Sequence, residues 1–259
     1  MFGIAKDIRS EVRECTPDLL NQALDSAHVA RVCAEIEDAL EKCRRGEITK
    51  EEYETIKSAL KKKLPIFTFH AMFKNGRRKN GDAIPSGLSI YDLDHIENPR
   101  AKWTSIEPRA KELGIVLAHI SPSLEGLRLV FRRPPLAPPA GGESPANGVM
   151  SLAQSQAWMA QQLGDTQYDS CVKDYARCSF AVPREYVLWV DADALFAPCS
   201  PHPNVIFRTE SSTTRQSEAK NLGSTAQQKV DAPEILRRSA PLDDERKSTP
   251  PSGGDGGGL

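Results

Sequence analysis

The chain has 259 residues, with 34 Lys and Arg against 35 Asp and Glu and a formal charge of -1. That length admits one domain of ordinary size plus appendages, and the charge balance excludes a global attraction to phosphate backbones, so contact with nucleic acid requires a local basic patch. Nothing at the start has the apolar core of a secretion signal, no run approaches a bilayer span, and the six cysteines lack metal-finger spacing; the expectation is a cytoplasmic protein with reduced thiols and no membrane contact.

Taken in chain order, the first sixty residues read as helical. Thr16-Pro17-Asp18 is a cap with proline at the first helical position, and Val29, Val32, Ile36, Leu40 and Cys43 recur at helical steps until Gly46. Thr49-Lys-Glu-Glu52 is a capping box that opens a second helix with Tyr53, Ile56 and Leu60 as its stripe, ending before Pro65. The pair predicts a hairpin over 1–63 that packs on a core at 64–208; the alternative is a module that docks a partner.

Lys61-Lys-Lys63 and Lys74-Asn-Gly-Arg77-Arg78-Lys79 bracket the apolar stretch Ile66-Phe-Thr-Phe69, giving seven cations without an acid between them. Lys74, Arg77, Arg78 and Lys79 are therefore candidates for nucleic-acid contact, beside the plainer reading of a solvated helix end and loop. From Leu64 onward strands are expected at Ile66 to Phe69, Gly87 to Leu93, Ile115 to His119, Leu127 to Phe131, Cys178 to Val182 and Tyr186 to Val190. Helices are expected at Lys102 to Leu113 and Ser151 to Leu163. This mixture points to an α+β fold with a largely antiparallel sheet and flanking helices.

Asp92 and Asp94 end the run Gly87-Leu-Ser-Ile-Tyr-Asp-Leu-Asp94. On a strand that spacing puts both carboxylates on one face, and like charges so close call for a cation, with hard oxygen ligands suiting Mg²⁺ or Mn²⁺. Acids that merely end a strand and face water are the competing explanation. Downstream, Ser121-Pro-Ser-Leu-Glu-Gly126-Leu-Arg128 is a small polar turn with a cation at the mouth of a new apolar run. Asp169-Ser-Cys-Val-Lys-Asp174-Tyr-Ala-Arg177 adds acids and an arginine. The proline- and glycine-rich segment 132–145 should be an exposed loop, either gating a channel or a tolerated insertion. Residues 209–259 have the composition of a disordered tail or linker.

An acid pair, a turn carrying a cation and a third acid, in that order, resemble the three motifs of the archaeo-eukaryotic primase (primase-polymerase) superfamily. Within it the chain is most similar to the branch called the VirE N-terminal domain, over roughly Leu64 to Phe196. The resemblance implies an RNA-recognition-motif-like sheet and a catalytic domain that joins nucleotides on a single-stranded template during replication of a mobile element. It makes Asp92, Asp94 and Asp169 catalytic ligands of two Mg²⁺ or Mn²⁺ ions, with Asp174 the alternative third acid. Ser121, Ser123, Gly126, Arg128 and Arg177 would then bind the nucleoside triphosphate, Arg177 alternatively pairing with a motif acid.

Leu124 departs from that pattern, standing where the branch has a glycine. Glycine is wanted there if the backbone must take a positive φ or approach a phosphate. A catalytically degraded module that only grips nucleic acid or a partner is therefore the second reading; an Asp-x-Asp phosphatase fails on His95-Ile96 after the pair, and a nuclease leaves the Ser121 turn unexplained. No Gly-x-x-x-x-Gly-Lys-Ser/Thr loop occurs, so a helicase or ATPase activity would come from a separate protein. His95 and His119 are expected to be structural, and Cys178 a small core residue rather than a nucleophile.

Overall fold

The computed structural model describes residues 1–136, 148–166, 168 and 174–198. Most of the proline-rich loop, Asp169 and the whole tail from 209 lie outside them.

The chain opens with two short strands, β1 (Gly3–Ala5) and β2 (Arg13–Glu14). Three helices follow: α1 (Pro17–Leu24), α2 (Ala27–Arg44) and α3 (Lys50–Lys61). Each starts where its cap is written. Thr16 accepts from the Leu19 amide with Pro17 in the first turn, Ser26 accepts from Val29, and Thr49 and Glu52 form the reciprocal capping box. Next come β3 (Ile66–Thr68), the small hairpin β4 (Ala71–Phe73) with β5 (Ala83–Pro85), and β6 (Leu88–Asp94). The remainder is α4 (Pro99–Ile106), β7 (Ile115–Ile120), β8 (Gly126–Arg132), α5 (Leu152–Leu163), β9 (Ser179–Phe180), β10 (Val187–Val190) and α6 (Ala192–Phe196).

The protein is α+β, with antiparallel sheets and flanking helices as expected. One sheet has the order β10-β7-β8-β6 and the chain succession βαββαβ; a second has the order β2-β1-β3-β9. The expectation of helix throughout the first sixty residues is corrected here: Gly3–Ala5 is a strand, paired to β3 and fully buried, so the N-terminus belongs to the core sheet. Gly3 is required there, because a Cβ would lie 2.2 Å from Val12 Cγ1 and 2.5 Å from Thr68 Oγ1.

Alternation along β6 divides the core. Tyr91 and Leu93 face α4 and α5, packing with Trp103, Ile106, Phe131 and Met159. Leu88 and Ile90 face the other way, into a cluster with Phe2, Phe67, Phe69, Val29 and Ile36 that binds both sheets to α1 and α2. Asp92 continues this second face. The α2–α3 hairpin meets the motif turn through Leu40 and Tyr53 against Leu124.

Candidate functional site

Asp92, Arg128 and His119 stand side by side on three neighbouring strands: Asp92 is opposite Arg128 in the β6–β8 register, and Arg128 opposite His119 in β8–β7. Residues so paired share a face, so the row is fixed by strand register alone. Arg128 Nη1 makes a close ion pair with Asp92 Oδ1, and its Nη2 reaches Asp94 Oδ1 at 3.3 Å. From the segment before β9, Arg177 Nη2 donates to Asp92 Oδ2 at 2.5 Å. Both oxygens of Asp92 are thus held by guanidinium groups, while Asp94 is exposed. Burial would push the Asp92 carboxyl up, yet the two arginines outweigh it and hold it below the usual carboxylate range.

Asp92, Arg128 and Arg177 form one wall of a cavity of about 370 Å³ that is also lined by Lys61, Arg78, Pro122 and Phe180. Four cations against one acid make it an anion-seeking cleft. Three elements meet there that the sequence separates: the end of α3, the β6–β8 face and the third motif.

The motif turn from Ser121 to Gly126 is closed by Ser121 N–H to Gly126 O at 2.8 Å and Leu124 N–H to Ser121 O at 2.9 Å. Gly126 is tight: a Cβ would sit 3.1 Å from Leu93 O and 3.2 Å from both Asp94 Oδ1 and Ser121 Oγ. Leu124 has φ +61°, so the conformation that favours glycine is adopted by leucine, at a cost of roughly 1–2 kcal/mol. What holds it is the helical hairpin. The Leu124 side chain packs beside Ala39, Leu40 and Tyr53, and the neighbouring Glu125 accepts the Tyr53 hydroxyl at 3.1 Å. Ser121 and Ser123 are buried and bond to each other at 3.1 Å, so their hydroxyls are engaged within the turn.

Two histidines join the layers. His70 Nε2 accepts the Ile90 N–H and its Nδ1–H donates to Asp174 O, both at 3.0 Å, which fixes the neutral tautomer and ties the third motif to β6. His119 donates from Nδ1 to Ile120 O at 2.9 Å and faces the Ser179 hydroxyl at 3.4 Å. Burial drives both rings down to about 4. His119 is structural as expected; His70 carried no signal of period or motif and is found only from its hydrogen bonds. His95 is exposed, beyond the strand end, with φ 57°.

Asp174, the alternative third acid, accepts the Ala176 N–H at 2.8 Å and so shapes its own turn rather than lining the cleft. Asp169 lies outside the described residues. Among the described residues no group of three His, Cys, Asp or Glu is placed to hold a metal. Of the four basic candidates in the β4–β5 hairpin, Lys74, Arg77 and Lys79 are exposed. Arg78 differs: its guanidinium turns inward and donates to Ile8 O at 2.8 Å and Ala176 O at 3.1 Å, bracing the cleft wall. Cys178 is half-buried with its thiol pushed up by burial, which suits packing and not nucleophilic attack. Cys15, Cys33 and Cys43 are likewise free thiols.

Residues 59–182 match the family model described as BT4734-like, N-terminal domain. The matched domain begins in the last turn of α3 and ends just past β9, so it holds every cation of the cleft together with Asp92 and Asp94. No curated protein matches the chain, and no solved structure does. No helix among the described residues is long and apolar enough to cross a membrane.

Proposed function

We propose that the chain is a primase-polymerase-like nucleotidyltransferase, of the VirE N-terminal branch, that joins nucleoside triphosphates on a single-stranded template in the replication of a mobile element. The observation that carries this reading is the convergence of Arg128 and Arg177 on Asp92 inside a cleft also lined by Lys61 and Arg78. The family match over the three motifs supports it, the matched domain being one found in primase-polymerase-like proteins.

A triphosphate carries several negative charges and needs several fixed donors, and two guanidinium forks a few ångströms apart suit it. Asp92 holds those forks in place before the anion arrives, so little ordering remains to be done on binding. When phosphate oxygens take over the arginines, the Asp92 carboxylate is released into the cleft beside Asp94. The donor chemistry fits Mg²⁺ or Mn²⁺: two hard carboxylates on one strand face are already bridged by a single cationic group, Arg128. Asp92 and Asp94 would hold such an ion, with Asp169 as the further ligand. Bound there, it would stabilise charge on the attacking and leaving oxygens of phosphoryl transfer. Lys74, Arg77 and Lys79, exposed on the β4–β5 hairpin, are the template-facing cations in this scheme.

The test is template-dependent incorporation with ribo- and deoxyribonucleotides supplied separately. Asp92→Ala with Asp94→Ala should abolish it, and undiminished incorporation by that double variant would refute the site. A second reading, a non-catalytic module of the same fold that grips nucleic acid, is favoured by the engagement of both Asp92 oxygens by arginine. Titration of a nucleoside triphosphate with and without Mn²⁺ separates the two, since a pure binding module gains no affinity from the ion.

A further inference from the structure

Lys61 is the one cation of the cleft supplied by the N-terminal helices, from the last residue of α3. Arg128 and Arg177 are paired to Asp92, and Arg78 is tied to two backbone carbonyls. Lys61 is different: among the described residues its ammonium makes no ion pair and no hydrogen bond, although it is half-buried. Its ordinary charge is opposed by burial first and then by Lys57 and Arg128 nearby, with Asp94 and Glu54 compensating in part. A partly desolvated cation without a partner, held next to further cations, costs stability unless an anion completes it.

Its position is not left to a free helix end. Tyr53 and Leu124 lock α3 to the motif turn, with Lys57 at 3.8 Å from the Glu125 carboxylate adding to the same contact. That docking lies two helical turns before Lys61 and sets where α3 delivers it.

We propose that Lys61 is a direct contact for the anionic end of the triphosphate, so that the α2–α3 hairpin forms part of the binding site rather than a scaffold beside it. This rests on the reading of the cleft as a nucleotide site and adds to it a residue outside the three motifs. The ligand chemistry recognised is a polyphosphate, whether free or esterified to a nucleoside. Removing the charge should therefore weaken binding and stabilise the free protein, a combination that a structural lysine does not produce.

The experiment uses the full chain, titrated with inorganic triphosphate and with a non-hydrolysable nucleoside triphosphate at fixed ionic strength, alongside thermal melts. Lys61→Met is expected to weaken both ligands about tenfold or more, to raise or keep the melting temperature without ligand, and to lose most of the ligand-induced rise. Lys61→Arg should stay within about threefold of wild type, and Lys62→Gln, one residue on and exposed, should change neither measure. Wild-type affinity in Lys61→Met, beside lost affinity in Arg128→Ala, would overturn the role of Lys61 and leave the cleft reading standing. Destabilisation of Lys61→Met with unchanged affinity would mark the residue as structural and also overturn the proposal. Absence of binding by the wild-type chain would remove the nucleotide reading itself, and Lys61 with it.

Discussion

Arg177 and Asp92, 85 residues apart in the chain, meet at 2.5 Å, and this contact fastens the third motif to the strand that carries the first. Asp92 is the shared counter-ion of two arginines, so its removal leaves both guanidinium groups facing each other in a partly desolvated cleft.

Asp92→Asn is expected to lower unfolding free energy by about 2 kcal/mol, less than the roughly 3–5 kcal/mol cost of breaking a fully buried pair, because Arg128 and Arg177 keep some solvent. Urea denaturation at neutral pH measures it. The wild-type carboxyl is depressed when folded, so its contribution is present above the unfolded value of 3.8 and lost as pH falls below it. The variant should lack that acid-side loss; an unchanged acid limb would show that Asp92 is not held as described.

His70 and His119 are neutral and satisfied in the fold, with values pulled from 6.5 down to about 4. A depressed histidine contributes stability that is complete above the unfolded value and lost as pH falls towards the folded one. Between pH 7 and pH 5 each should therefore cost on the order of 2 kcal/mol. Denaturant midpoints across that range should fall steadily, and His119→Gln should flatten the slope. A midpoint independent of pH in this window would contradict the burial of both rings.

Leu124 sets steric strain against packing. Leu124→Ala loses contact with Leu40 and Tyr53 while keeping a side chain at φ +61°; Leu124→Gly loses the same contact but relieves the strain. Both should be less stable than wild type, the glycine variant by about 1 kcal/mol less than the alanine variant. Thermal melts of the two decide it, and equal stabilities would mean that the backbone at 124 relaxes once its anchor is gone.

Gly126→Ala would place a methyl about 3 Å from Leu93 O, Asp94 Oδ1 and Ser121 Oγ. A loss of roughly 1–3 kcal/mol follows from overpacking. Because Asp94 is the group able to give way, triphosphate affinity measured in Mn²⁺ should fall further than affinity measured in chelator. Equal losses under both conditions would place the strain away from Asp94.

The long strands were readable because β7 carries a nearly continuous apolar, β-branched run and β6 and β8 carry seven-residue stretches rich in apolar residues. Strands β1, β2, β4 and β5 were not, since two or three residues have no period to detect and owe their conformation to the strand they pair with. The helix expected over Lys102 to Leu113 instead runs from Pro99 to Ile106 and then tightens into a 3₁₀ turn at Glu107–Arg109. Asn98 and Pro99 set its start, and Pro108, with no N–H to donate, ends the α-helical ladder.

For the site, sequence by itself determined that Asp92 and Asp94 share a strand face, that a tight turn precedes Arg128, and that capped helices stand ahead of the core. Each of these follows from interactions between residues a few positions apart. Tertiary structure decided that Arg128 and Arg177 close on Asp92, that Arg78 turns inward, and that α3 brings Lys61 into the cleft. Those outcomes depend on strand register and on layers meeting across gaps of tens of residues; a single-residue slip in the β6–β8 pairing would send Asp92 or Arg128 to the opposite face.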